Sequence, residues 1–310
     1  MMAKTLRWGR SILGYFLFTV AGLVLMLWIL FPVDFLDQWI PEYLGARFPY
    51  TRVALSNVAV GFPGKLVLTG LEFSSSAEQK TLLKVETLEL QPKFASLLNM
   101  QPVVGYVATI EQGRVAGTFS TGSSLDAFNV AGQIEHVQLD LVTGIRAILG
   151  REIQGKLNAQ FKGKVQSDFT ALGNMDVKVS IGNGKIGLKK KILGHGVFPF
   201  SQVRFTVTGN EQKLFIDGGQ VESELFSADF SGNIELNHPY AQSGLSFAGI
   251  MLPRPEFFVH VTDGQLLSAI RNQLQDDGAA FKVSGDVADP GITFGELSSL
   301  FEAAATTAEQ

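Results

Sequence analysis

The sequence contains no cysteine. Disulfides, thiolate metal sites and cysteine nucleophiles are therefore excluded. Charge is sparse: 17% of residues are charged and the net charge is −4. Such a chain lacks the basic field that a nucleic-acid partner requires. Histidine is scarce as well, and none of His136, His195, His238 and His260 stands in a ligand spacing such as HExxH. No GxSxG elbow, phosphate loop or triad signature occurs. The chain reads as non-enzymatic, with no cofactor and no metal site. Also missing is the strand–helix alternation of a parallel α/β fold.

Apolar residues are abundant: 46% are hydrophobic and 24 are phenylalanine. Ile12 to Phe31 carries no charge. As a helix it spans roughly 30 Å, the thickness of a bilayer core. Lys4, Arg7 and Arg10 precede it, and Asp34, Asp37 and Glu42 follow. Basic flanks stay in the cytoplasm, so the C-terminal part is expected outside it. Ile12, Trp28 and Phe31 mark this anchor. A cleavable signal peptide is the alternative, but the apolar run is long for one, and Thr19 and Ala21 make only a poor small-x-small site. The expected divisions are a cytoplasmic start (1–11), a transmembrane anchor (12–32), a juxtamembrane segment broken at Pro41 (33–50), an exported β domain (51–295) and a C-terminal helix or tail (296–310).

After Thr51 the hydrophobic period becomes two. Phe226, Ala228, Phe230, Gly232 and Ile234 alternate with Ser227, Asp229, Ser231, Asn233 and Glu235. Similar alternation runs through Met175–Ile181, Val203–Val207, Val137–Leu141, Leu245–Phe247 and Phe281–Val287. Turns are expected at Pro63-Gly64, Asn183-Gly184, Gly209-Asn210, Asp217-Gly218-Gly219 and His238-Pro239. Short helices are expected at Lys93–Asn99, Leu141–Leu149, Asp263–Gln275 and Gly295–Ala305. The fold class is mainly β: a long, curved antiparallel sheet with a few short helices. Its candidate apolar face carries Val177, Val179, Phe205, Phe226, Phe230, Ile234 and Phe247.

Two motifs invite a functional reading. Gly182 to Gly187 matches GxGxxG, but no βαβ context surrounds it, and Asn183-Gly184 fits a hairpin turn better. Lys189, Lys190 and Lys191 form a basic run that suits anionic lipid headgroups. A solvated strand edge guarded by lysine explains the same run.

The order of elements resembles a known family. VETLELQPKFASLLNMQPVVGYVATIEQGRVAGTFS (Val85–Ser120) resembles the opening of AsmA-like proteins. FPFSQVRFTVTGNEQKLFIDGGQVES (Phe198–Ser223), SADFSGNIELNHPYAQSGLSFAG (Ser227–Gly249) and FKVSGDVADPGITF (Phe281–Phe294, with Gly285 and Pro290) resemble the type II secretion system protein N family of that group. The resemblance implies a β-groove or half-barrel anchored in the bacterial inner membrane, with its sheet in the periplasm. It also implies an accessory role in exporting folded proteins across the outer membrane, through contacts with other secretion components. The wider group implies the alternative: a lipid-binding module that passes phospholipid between the two membranes. The sequence favours the first, because Gly232, Gly249 and Gly285 interrupt the apolar rows and the helix at Asp263–Gln275 plugs one end.

Overall fold

Alternation of apolar and polar residues becomes strand almost throughout. The computed structural model describes residues 33–47, 51–61, 64–75, 80–97, 101–121, 127–166, 172–210, 212–237, 239–261, 264–274 and 278–295, with isolated helical positions at Tyr15, Phe18, Thr19, Gly22 and Met26. The strands are β1 (Thr51–Ala54), β2 (Asn57–Gly61), β3 (Lys65–Ser75), β4 (Thr81–Pro92), β5 (Val103–Ile110), β6 (Gly113–Thr121), β7 (Ala127–Gln138) and β8 (Ile153–Gln166). They continue as β9 (Leu172–Ile192), β10 (His195–Gly209), β11 (Lys213–Glu222), β12 (Phe226–Glu235), β13 (Gly244–Pro253), β14 (Ala279–Asp286) and β15 (Pro290–Thr293). All belong to one antiparallel sheet, and from β3 onward each strand pairs with the next in the chain. β1 and β2 both pair with β3, on either side of a break opposite Gly70.

The helices are α1 (Val33–Arg47), α2 (Phe94–Leu97), α3 (Thr143–Leu149) and α4 (Gly264–Leu274). The last three match expectation. α1 does not, because the helix runs through Pro41 instead of breaking there. Proline removes one backbone donor. Side-chain packing on both sides spans the gap: Trp39 stacks on Tyr43 at 4.9 Å, and Leu44 packs against the strand cluster of Val53, Leu71, Val85 and Ala108. Ile12, Trp28 and Phe31 lie outside the described residues, as do the Asp263 cap and the expected helix beyond Gly295. Among the described residues, no helix is long and apolar enough to cross a membrane.

Two expected turns are bulges instead. Asn183-Gly184 sits inside β9, and no helix follows it. Gln154 faces Lys185 and Lys156 faces Gly182, so Gly155 alone opposes the Asn183–Gly184 pair. Asn183 takes a positive φ of 46°, which asparagine tolerates, and this accommodates the extra residue. The hairpin turn lies further on, at Leu193 (φ 48°) and Gly194 (φ 83°), the paired positive angles of a type I′ turn. Asp217-Gly218 is likewise a bulge within β11, between the pairs Ile216–Gly232 and Gly219–Phe230.

The later strands curl. At about 4.8 Å per strand, a flat sheet would hold β9 and β15 roughly 29 Å apart. Yet Lys189 on β9 pairs with Asp289, in the turn before β15, at 3.3 Å. Beside it, Arg151 donates to the Ala288 carbonyl at 3.4 Å. Burial lowers the pKa of the Arg151 guanidinium, and the Asp289 carboxylate opposes that shift. α3 joins the same seam to an early strand, since the Thr143 hydroxyl donates to the carbonyls of Thr81 and Leu82 on β4.

Candidate functional site

Paired residues in an antiparallel sheet point to the same side. Following the pairs across the sheet therefore traces one row on one face. Val60 faces Leu66, which faces Leu90, which faces Tyr106 on β5. Gly117, Gly132, Phe161 and Val177 carry the row to β9. Val207, Ile216, Gly232 and Phe247 take it to β13, and Val283 and Ile292 end it on β15. Every position is apolar or glycine. At about 4.8 Å per strand the row is on the order of 60 Å long.

The glycines do not interrupt it. Each lies beneath an aromatic ring from a neighbouring strand. A Cβ on Gly132 would stand 2.6 Å from Tyr106 Oη and 2.9 Å from Phe161 Cζ. One on Gly232 would stand 2.5 Å from the Phe247 ring, and one on Gly249 2.8 Å from the Phe281 ring. Gly219 lies beneath Phe230 in the same way, with 2.6 Å to Cζ. The rings fill the space the glycines leave and keep the face apolar. Tyr106 turns its hydroxyl to the Ala131 carbonyl at 3.5 Å, and burial raises its pKa, so its polar tip stays neutral.

The opposite face is polar. Glu72 pairs with Lys84 at 3.2 Å, Lys162 with Asp176 at 3.1 Å, and Lys213 with Glu235 at 3.1 Å, each directly across two strands. Such exposed pairs contribute roughly 0.2–1 kcal/mol each and give register and solubility more than stability.

Two buried clusters cover the ends of the apolar face. At the first strands, Leu44 of α1 joins Val53, Leu71, Val85 and Ala108. At the last, Ile270 and Leu274 of α4 and the turn residues Phe257 and Phe258 pack on Leu225, Ala228, Met251 and Ala279. The central residues Phe161, Val177, Val179 and Val207 belong to neither cluster and remain half-buried. Beneath the C-terminal curl the face deepens to a cavity of roughly 240 Å³, lined among others by Phe198, Phe230, Phe247 and Phe281.

All seven residues expected on the apolar face share this side. Val177 faces Val207, Val179 faces Phe205, and Ile234 faces Leu245. Phe205, Phe230 and Phe247 form a chain of rings with spacings of 6.4 and 6.1 Å. Phe226 meets Phe198 at 5.3 Å. The face also includes residues that sequence reading passed over. Leu157, Ala159, Phe161, Gly163 and Val165 alternate cleanly with Lys156, Asn158, Gln160, Lys162 and Lys164, a signal as plain as any that was used. Tyr106 gave no such signal, because Val103 to Val107 is apolar on both sides.

Of the three lysines, Lys189 is engaged by Asp289, whereas Lys190 and Lys191 are exposed. The Lys189–Asp289 pair is itself at the surface, so Lys189→Ala changes stability by less than about 1 kcal/mol in urea titration. A larger loss would mean that this pair holds the curl closed. Among the described residues, no group of three or more His, Asp or Glu side chains is placed to hold a metal.

Fold and site together define an open antiparallel meander, dry along one face and ion-paired along the other. No protein-family model, curated protein or solved structure matches the chain.

Proposed function

We propose that this protein carries the acyl chains of lipids on the apolar face of its sheet, held at a membrane by its N-terminal segment. The observation that supports this reading is the row from Val60 to Ile292, which holds no charged side chain and no polar group but the Tyr106 hydroxyl, itself turned to the Ala131 carbonyl. A face of that length left half-buried needs an apolar cover. Each methylene laid on it contributes roughly 0.8 kcal/mol. The resemblance to AsmA-like proteins agrees with it, and implies the bacterial inner membrane as anchor and the periplasm as the place of the sheet. Gly232 and Gly249, which argued against a groove in the sequence, are seats for aromatic rings, and Gly285 lies at the end of the sheet, beside the turn into β15, so that objection weakens. An accessory role in type II secretion through strand addition finds less support. The last edge strand, β15, has four residues and opens on Pro290, features that blunt edge pairing.

The period of two supplies a direct test. A photo-crosslinking phenylalanine analogue placed at Val177, in cells labelled with radioactive phosphate, is expected to capture phospholipid. The same analogue at Lys178, one residue away on the polar face, is expected to capture none. Absence of adducts at Val177, or equal adducts at both positions, would reject the acyl-carrier reading.

A further inference from the structure

We infer that α1 lies in the surface of a phospholipid bilayer, with Phe35 and Trp39 seated at the boundary between headgroups and acyl chains. At about 100° per residue, the apolar residues of α1 occupy an arc of roughly 180°. One flank of this arc is used by the protein: Leu44 packs on the first strands. The other flank is open, with Phe35 59% and Trp39 44% exposed. Trp39 is already stacked on Tyr43, at 4.9 Å and 19° between planes, so ordering the ring costs little on binding. An amphipathic ring of this kind favours the membrane interface over bulk water.

The occupant follows from what lies next to the helix. The uncharged run Ile12–Phe31 ends just before Val33. A chain reaches at most about 3.5 Å per residue, so Phe35 stays within roughly 14 Å of the end of that run. Of the run itself, Tyr15, Phe18 and Met26 are helical and 75%, 77% and 62% exposed, as side chains facing lipid would be. Any bilayer that holds the run meets α1 at its surface. The charges of α1 refine the partner. Asp37 and Glu42 are exposed and lie off the apolar arc, and Arg47 is the one basic residue of the helix. Interfacial helices that rely on anionic lipid are rich in lysine and arginine. This helix instead inserts by its rings, so its seating is indifferent to salt and to anionic lipid.

The consequence for function rests on the acyl-carrier reading: α1 sets the first strands of the apolar face against the bilayer, where lipid enters. The seating itself does not depend on that reading. The test uses the full chain with Trp8→Phe and Trp28→Phe, which leaves Trp39 as the sole tryptophan, reconstituted in phosphatidylcholine vesicles. Lipids brominated near the headgroup end of the acyl chain are expected to quench most of the Trp39 emission, aqueous iodide little of it. The result is expected to hold in high salt. Quenching by iodide as strong as for free tryptophan would overturn the inference. So would quenching that changes with the protein-to-lipid ratio, since that places a second copy on the helix. If Trp39 proves wet while Val177 still captures lipid, the docking inference fails alone. If Trp39 is embedded and Val177 captures nothing, the acyl-carrier reading fails alone.

Discussion

Phe257→Ala is expected to destabilise the protein by about 3–5 kcal/mol, the range for losing a fully buried phenylalanine. Phe257 has no exposed surface. Its ring lies 6.0 Å from Phe226, 6.1 Å from Phe198 and 5.5 Å from Phe258, and stacks on His195 at 5.8 Å. His195 also donates from Nε2 to the Phe257 carbonyl at 3.0 Å. The ring therefore joins the start of β10 and the start of β12 to the segment leading into α4. Removing it leaves a void among aromatic neighbours that cannot collapse without moving strands. Phe257→Leu retains part of the volume and is expected to cost about half as much or less. Urea titration followed by the β signal in circular dichroism gives both values. A loss below about 1 kcal/mol for the alanine variant would show that α4 and its preceding turn contribute little to the sheet.

Gly117→Val is the second large effect, and it arises from crowding instead of from a void. Gly117 and Gly132 face each other on β6 and β7. A Cβ on Gly117 would collide with the Ala131 carbonyl, and would stand 2.5 Å from Tyr106 Oη and 2.7 Å from Gly132 Cα. Two of these three obstacles are backbone and cannot rotate away. The expected loss is about 3 kcal/mol, at the upper end for an overpacked interior. The Tyr106 ring must also leave its place in the apolar row, so lipid capture at Val177 is expected to fall with it. Gly45→Ala gives the contrast. A Cβ there meets nothing within 4 Å, and Gly45 lies inside α1, so alanine is expected to stabilise the helix by up to about 1 kcal/mol. If both substitutions had equal and small effects, the close approach of β6 and β7 would be refuted.

The sequence was most readable where one strand face is polar. Val177, Val179, Phe205, Phe230 and Ile234 each stand between polar neighbours, and period alone assigns them to a common face. Helices at Phe94–Leu97, Thr143–Leu149 and Gly264–Leu274 were equally visible, from an apolar stripe or a flanking proline. What local pattern does not carry is register. Asn183-Gly184 has the composition of a hairpin turn, and only its pairing with Gly155 makes it a bulge. Conversely, Glu111-Gln112 turns the chain with φ of 44° and 64° although neither residue signals it, because the pairing of Ile110 with Gly113 leaves the connection no other shape. Glycine misleads for the same reason. Gly232 interrupts a hydrophobic row on paper, but its meaning is set by Phe247 on the adjacent strand.

The order of pairing has a consequence for how the chain acquires its shape. Beyond the small split at β1 and β2, each strand needs only its predecessor as a template. Contacts close over short stretches of sequence, the condition under which β structure forms fastest. A polypeptide delivered from one end can thus pair its strands hairpin by hairpin as it arrives, and only the Lys189–Asp289 seam and the cluster around Phe257 wait for late segments. By the same logic, a hairpin gained or lost among the strands before β9 would lengthen or shorten the dry track without changing the order of strand pairing on either side.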